Sequence, residues 1–233
     1  MKTYHGVLAA SVILLPFASA PPAADAQQRQ SRPLTGFDAV EVGGGIDLVL
    51  RKGDAFVVEV AASEDDAAKI VTEVIDKTLQ IKRKSNFFDW GDGGTVYVTM
   101  PTLVSLDASG GSDVKTEGTF ASDNLRIAAS GGSDLTIDVA AGALDVEASG
   151  GSDMRLSGSA RTARVASSGG SDLNASALTA DEADVDSSGG SDLTISVRQR
   201  IVGDASGGSD VTYSGAPSSV NVNTSGGAEL HHR

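Results

Sequence analysis

The chain has 233 residues and a net charge of −13, and it contains no cysteine. The acidic balance argues against a nucleic-acid-binding protein, because contact with phosphates needs a patch of Lys and Arg, and it argues equally against electrostatic docking on anionic lipid. Disulfides are excluded, so the burial of apolar side chains must hold the fold together.

Residues 1–26 are predicted to be a secretory signal peptide. A short positive region precedes the apolar run Val7–Phe17, which is too short to span a bilayer and is followed by small residues. Cleavage after Ala26 is favoured over cleavage after Ala20, because Pro21 directly follows Ala20 and would hinder cleavage there. The alternative interpretation of this segment is a buried N-terminal helix.

Residues 27–36 are predicted to be a flexible N-terminal linker. No later stretch of the sequence is long and apolar enough for a transmembrane helix. Together with the predicted signal peptide, this indicates an exported protein that is periplasmic, or secreted to the cell surface or beyond, in a bacterium.

Residues 37–107 are predicted to form short strands with tight turns between them. Ser63, which three acidic residues follow, is expected to cap a short helix that ends near Ile70. Pro101 suits a corner or the edge of a strand. The strands expected in this part are Phe37–Arg51, Ala55–Ala61, Val71–Ile75, Thr78–Arg83, Val96–Met100 and Leu103–Asp107.

A five-residue word, Ser-Gly-Gly-Ser-Asp, recurs through the second half of the chain. A seventh, degenerate copy reads Ser-Gly-Gly-Ala-Glu. Successive copies begin 21, 19, 19, 20, 18 and 19 residues apart, and such regularity is the mark of a repeat architecture. The copies begin at Ser109, Ser130, Ser149, Ser168, Ser188, Ser206 and Ser225.

The residues between the copies alternate between apolar and polar. Around the third copy Leu144, Val146 and Met154 share one parity, whereas Asp145 and Glu147 share the other. Successive side chains of a strand point to opposite faces, so the pattern predicts strands with one buried face. A repeat of about 19 residues with two such arms predicts one rung of a β-solenoid, whose rungs stack on a common aliphatic core. An antiparallel meander or sandwich is the alternative.

The predicted organisation is all-β, with one solenoid domain over residues 37–230. Residues 37–107 would form irregular rungs that cover one end, and residues 108–230 would form the repeat rungs. In each copy of the word the small inward residues let the chain turn a corner, and the second glycine, as at Gly151, is expected to have a positive φ. No cap follows Leu230, so self-association through the C-terminal rung is a hypothesis.

The N-terminal part contains three further short motifs, Phe37–Val40, Gly44–Leu48 and Met100–Leu103. Together with the repeated word they resemble the head GIN domain family, which is described as auto-transporter adhesins. Gly45-Ile46-Asp47 is similar to the Gly-Ile-Asn motif of the family, with Asp in place of Asn. The resemblance covers about residues 35–229. It implies an exported bacterial protein with a right-handed, mainly parallel β-helix and a role as an adhesin.

The acidic residue that closes each word is predicted to form a column on the outer surface. Neighbouring carboxylates would lie roughly 5 Å apart and would repel by about 0.9 kcal/mol per pair in water. Turn N–H groups that donate to the carboxylates are the favoured compensation, and calcium bound between the acids is the alternative. No metal site is favoured, and the alternative calcium column would comprise Asp113, Asp134, Asp153, Asp172, Asp192 and Asp210, with Glu229 last.

The repeats predict a protein that is not an enzyme and has no cofactor. A polysaccharide-cleaving β-helix needs two acids with different pKa values in one cleft, whereas the repeated aspartates have the same surroundings. Apart from His5, the histidines are His231 and His232, which are expected at a frayed end. Histidine triads and His-rich metal sites are therefore not predicted.

Residues 84–95 interrupt the pattern and contain the only Trp of the chain. Phe87, Phe88 and Trp90 on this glycine-rich segment could stack on a sugar or anchor a partner, although packing over the end of the solenoid is favoured. The sequence thus predicts an exported binding or adhesion module with a cell-surface glycan or protein as its partner. The alternatives are a calcium-stabilised structural solenoid and, less favoured, a polysaccharide-degrading enzyme.

Overall fold

The computed structural model describes residues 28–84 and 93–233. The described residues are about 66% strand and 2% helix, and they form a β-solenoid of about 7 turns whose rungs are about 19 residues apart. The predicted solenoid is therefore confirmed. The predicted signal peptide and the aromatic residues of segment 85–92 lie outside the described residues.

The described residues form seventeen strands and one short helix. None of the helical structure in these residues is long and apolar enough to cross a membrane. The N-terminal elements are β1 (Gln28–Arg32), β2 (Ala39–Val42), β3 (Asp47–Lys52), β4 (Val57–Ala62), α1 (Glu64–Ala67), β5 (Ile70–Ile75), β6 (Thr78–Arg83), β7 (Thr95–Met100) and β8 (Ser105–Ala108). The repeat strands are β9 (Asp113–Glu117), β10 (Phe120–Ala129), β11 (Asp134–Ala148), β12 (Asp153–Ser167), β13 (Asp172–Ser187), β14 (Asp192–Ala205), β15 (Asp210–Ser214), β16 (Ser219–Thr224) and β17 (Glu229–His232).

Strands β10 to β14 stack in parallel, and their alternating pattern turns into columns of buried residues. Ile127 pairs with Val146, Val146 with Val165, and Val165 with Val185. All four side chains are fully buried. Burial of each contributes on the order of 1.5–3 kcal/mol, and a rung obtains that burial only from the rungs on either side of it.

Each rung has two walls that meet at a Ser-Gly-Gly-Ser corner. The first wall, before the corner, stacks β5, β6, β2, β8 and β10, then the second halves of β11 to β14, and β16. The second wall, after the corner, stacks β1, β4, β7, β3 and β9, then the first halves of β11 to β14, β15 and β17. Thus β2 lies between β6 and β8, and β3 lies between β7 and β9, although all four neighbours follow them in the chain.

Antiparallel strands cover the N-terminal end of the solenoid. On the second wall β4 pairs with β7 and β1 pairs with β4, while on the first wall β5 pairs with β6 through a tight turn at Asp76 and Lys77. The prediction of a flexible linker is wrong for residues 28–32, because their backbone groups pair with the otherwise free edge of β4.

Two predicted elements of the N-terminal part have different bounds. The single strand expected over Phe37–Arg51 is divided into β2 and β3 by a glycine corner. Ser63 caps α1 as predicted, since its Oγ accepts a hydrogen bond from the Asp66 N–H at 3.1 Å. The helix ends at Ala67 and not near Ile70, because Ile70 begins β5 and pairs with Arg83.

The positive φ predicted for the second glycine of the corner is confirmed at Gly151 but not in the later copies. The first glycine of every copy has a positive φ. The second glycine has a positive φ only in the first three copies, at Gly111, Gly132 and Gly151. In the last three copies the second glycine donates a hydrogen bond to the first glycine of the preceding rung, as from Gly190 N to Gly169 O at 2.8 Å. In the last four copies the left-handed conformation is confined to the first glycine.

Candidate functional site

The repeated acids form one column on the second wall. Asp134 pairs with Asp113 on one side and with Asp153 on the other. The same register continues through the later rungs to Glu229. One rung step is about 4.8 Å, so the predicted juxtaposition of like charges is confirmed.

Asp47 belongs to the same column, although it was not among the predicted residues. Leu48 pairs with Val114, which places Asp47 beside Asp113. The segment 43–47 is a degenerate copy of the repeated word, with Gly43 and Ile46 in place of its two serines. Matching these five residues to the word would have revealed the relationship. The acidic column therefore comprises Asp47, Asp113, Asp134, Asp153, Asp172, Asp192, Asp210 and Glu229.

Desolvation and like charges raise the pKa of two members of the acidic column. The pKa of Asp47 is raised by partial burial and then by Asp113, while a hydrogen bond from the Asp113 backbone acts in the opposite direction. The pKa of Asp192 is raised by partial burial, then by the charges of Asp172 and Asp210 and by a hydrogen bond with Asp172. The ion pairs within residues 28–84 and 93–233 include none of the six repeated aspartates.

Buried serines hold the corner that precedes each acid. The Ser171 hydroxyl donates to the carbonyls of Ser168 at 3.0 Å and of Ala148, on the preceding rung, at 3.2 Å. Ser191 and Ser209 make the same pair of contacts on their own rungs. Because these hydroxyls are satisfied inside the corner, they stabilise the fold and orient the following acid, and they are not free to bind a ligand.

The first wall carries a groove of about 870 Å³ that runs over the five rungs of β10 to β14. Two outward-facing columns in register line it, above the buried side chains of Leu125 and Leu144. Four rung steps make the groove about 19 Å long. The two columns are Asn124, Ala143, Thr162, Glu182 and Arg200, and Arg126, Asp145, Arg164, Asp184 and Val202.

Charges of opposite sign alternate along the second of these columns. At its N-terminal end Arg126 binds Asp145 at 3.1 Å and Glu147 at 2.7 Å. The hydrogen bond from Arg126 lowers the pKa of Glu147. Arg164 and Asp184 pair in register, but neither forms an ion pair within the described part of the chain. The middle of the groove thus presents one exposed positive and one exposed negative charge to solvent.

A second depression, of about 460 Å³, lies at the N-terminal end of the acidic column and includes Tyr97. The guanidinium of Arg29 lies 4.3 Å from the centre of the Tyr97 ring, and that of Arg51 lies 4.9 Å from it. These cations are held in turn by Glu59 and Glu117, at 3.0 and 2.6 Å. The ring is therefore occupied by cation–π contacts and is poorly placed to stack on a sugar.

The predicted aromatic site, Phe87, Phe88 and Trp90, lies outside the described residues and stays a prediction. The histidine prediction was wrong, since His231 and His232 belong to β17 and not to a frayed end. The register of β15 with β17 brings a ligand atom of His231 within 4.8 Å of those of Asp210 and Glu229. Sequence reasoning missed this cluster because it treated the last four residues apart from the final copy of the word.

A family model described as "Putative auto-transporter adhesin, head GIN domain" matches residues 36–217. The chain belongs to this family. The groove and seven of the eight members of the acidic column lie within the head GIN domain match, whereas Glu229 and His231 lie beyond its last residue. Among curated proteins no relative is found.

Solved structures from Bacteroides and Parabacteroides species share the fold of this chain. A protein from Bacteroides fragilis, described as a putative adhesin, is 21% identical with a TM-score of 0.83 over 88% of this chain and 96% of its own. A putative adhesin from Parabacteroides merdae has 16% identity and a TM-score of 0.72 over 88% and 95%. A putative lipid binding protein from Parabacteroides distasonis has 15% identity and a TM-score of 0.70 over 88% and 96%. At these identities the similarity establishes the fold alone.

Proposed function

We propose that the protein is an exported, non-catalytic binding module of the bacterial cell envelope, which holds a cell-surface glycan or protein in the groove of its first wall. The exposed charges of Arg164 and Asp184 in the middle of the groove, neither of which forms an ion pair among the described residues, carry this proposal. The family description and the adhesin names of similar structures support a role in adhesion. The predicted signal peptide, residues 1–26, supports export.

The groove suits an extended polar ligand. Its length of about 19 Å matches about six residues of extended peptide, or a short stretch of glycan. The exposed hydroxyl of Thr162 lies beside the charges of Arg164 and Asp184, so the groove offers donors and acceptors in a fixed order. Because the side chains stand on paired strands, they are held in place before binding, and the loss of conformational entropy on binding is small.

The state of the groove carboxylates supports binding over hydrolysis. Asp145 is engaged by Arg126 at 3.1 Å, and Glu182 by Arg200 at 3.9 Å. Each of these two carboxylates is engaged by an arginine, whereas a glycoside hydrolase uses a pair of carboxyl groups that are free to act on either side of the scissile bond. These two residues maintain the charge pattern of the wall.

A pair of charge reversals on one strand tests the proposal. Arg164 and Arg155 are both exposed residues of β12, but Arg164 lines the groove and Arg155 lies on the second wall. Arg164→Glu is expected to weaken binding of the labelled protein to bacterial cells, or to arrayed glycans and surface proteins, at least about tenfold. Arg155→Glu is expected to leave binding unchanged, with both variants melting within a few degrees of the wild type. Equal binding by the two variants would contradict the proposed groove.

The predicted aromatic segment is a second proposed contact for the same partner. Phe87→Ala and Trp90→Ala are expected to weaken binding in the same assay while the melting temperature stays nearly constant. Loss of thermal stability in these variants would instead support packing of the rings over the end of the solenoid.

Calcium stabilisation of the acidic column is the alternative function. The raised pKa of Asp192 favours it, because a bound cation would relieve the repulsion from Asp172 and Asp210. Thermal unfolding in millimolar calcium and in chelator, at equal ionic strength, separates the two functions. Equal melting temperatures reject the calcium-stabilised solenoid.

A further inference from the structure

Three side chains of different chemistry meet at the C-terminal end of the acidic column. Asp210 of β15 pairs in register with Glu229 of β17, and His231 is the next residue on the same face of β17. Their ligand atoms all lie within 4.8 Å of one another, and Glu229 Oε2 lies 3.2 Å from His231 Nε2. All three residues are exposed, so the site is open to ions from solution.

The strand that carries two of these residues is held in place to its end. The His232 ring stacks on Tyr213 with centroids 4.7 Å apart, and its Nε2 lies 2.9 Å from the carbonyl of Gly215. The backbone N–H of Arg233 donates to the Tyr213 carbonyl at 3.0 Å. His232 is therefore used for packing, whereas the His231 ring lies against Glu229 of the acidic column.

An imidazole distinguishes this rung from the other repeat rungs. Along the column that contains His231, the in-register positions of the preceding rungs hold no metal ligand of comparable strength. The acids elsewhere in the acidic column thus lack an imidazole beside them. The residues that precede His231 in its column are Lys115, Thr136, Arg155, Asn174, Thr194 and Thr212.

We propose that Asp210, Glu229 and His231 bind one divalent first-row transition metal ion, for which Zn²⁺ is the natural probe. Such ions accept both imidazole nitrogen and carboxylate oxygen as ligands, and three protein ligands leave a further position for water or a donor from a partner. Calcium prefers oxygen ligands alone, so the imidazole selects against it. The bound charge would also offset the repulsion at the end of the acidic column.

Calorimetric titration of the full chain with ZnCl₂ in metal-free buffer tests the site. We expect a saturable isotherm with one ion per chain, and no displacement by calcium at a similar concentration. His231→Ala, Asp210→Asn and Glu229→Gln are each expected to weaken binding at least about tenfold. His232→Phe, which keeps a ring on Tyr213, is expected to retain the wild-type affinity.

NMR spectroscopy of the wild-type protein tests the site without any substitution that perturbs the rung. In the wild-type protein the imidazole NMR signals of His231 are expected to shift on addition of Zn²⁺, while those of His232 stay in place. Absence of saturable binding, or an unchanged affinity in His231→Ala, overturns the proposal. Neither measurement depends on the ligand of the groove. A negative result for the metal site therefore leaves the proposed binding function of the groove unaffected, and the reverse also holds.

Discussion

Arg126 holds Glu147 of the next rung with both of its terminal nitrogens, at 3.0 and 2.7 Å. The two residues are 21 positions apart in the chain, and they meet because Ala128 pairs in register with Glu147. The same guanidinium reaches Asp145 at 3.1 Å. One arginine thus joins two rungs and closes the N-terminal end of the groove.

Glu147→Gln is expected to lower the free energy of unfolding at pH 7 by no more than about 1 kcal/mol, because both partners are largely exposed. The pKa of Glu147 is lowered in the folded protein from its usual 4.5. Its contribution is therefore complete above that value and is lost as the pH falls through the lower folded-state pKa. Urea unfolding at pH 7 and at about pH 3 measures the difference from the wild type. A difference that does not shrink at the acid pH would contradict the ion-pair account.

The buried serines of the corner give a second prediction. Ser171→Ala removes a hydroxyl that donates to the carbonyls of Ser168 and Ala148, so we expect a loss of about 1–2 kcal/mol in the free energy of unfolding. Ser168→Ala, at a half-buried position of the same corner, is the matched control and is expected to cost less. Equal losses in denaturant titrations would show that the buried hydroxyls do not hold the corner.

The two glycines of one corner are expected to respond in opposite ways to alanine. Gly169 has φ +77°, and a Cβ there would lie 3.1 Å from the nitrogen of Gly150 on the preceding rung. Gly169→Ala is therefore expected to cost at least about 1 kcal/mol. Gly170 has no positive φ, and no atom lies within 4 Å of the place that an alanine methyl group would take, so Gly170→Ala is expected to be neutral or slightly stabilising. Melting temperatures from circular dichroism compare the two, and the reverse order would contradict the corner geometry.

Repulsion within the acidic column gives a prediction of opposite sign to that for Glu147. The pKa of Asp192 is raised in the folded protein, so its ionised form costs stability above that pKa, and the cost disappears as the pH falls below the unfolded value. Asp192→Asn is expected to raise stability at pH 7, by less than about 1 kcal/mol because the residue is exposed. The gain should diminish in about 0.5 M NaCl, which screens the column. An equal gain at low and high salt would mean that repulsion is not its cause.

Much of the solenoid could be predicted because the repeat translates directly into register. Asp153 and Asp172 are one period apart and share a parity, so stacked rungs must place them side by side. The same reasoning placed Ser152 and Ser171 inside the corner, where both are buried. The conformation of the second glycine was beyond it, because the word is the same in all six full copies whereas that conformation changes after the copy that contains Gly151.

The period and parity of the word were sufficient to establish stacked rungs, an aliphatic interior and a file of acids, since equal spacing leaves one register that buries the apolar face. The groove around Arg164 and Asp184, and the position of β2 and β3 between strands that follow them in the chain, came from folding alone. Each of these joins side chains from different rungs whose residue types do not repeat, or strands whose order in space differs from their order in the chain. Periodicity carries no information about such contacts, because they depend on which edges pair in three dimensions.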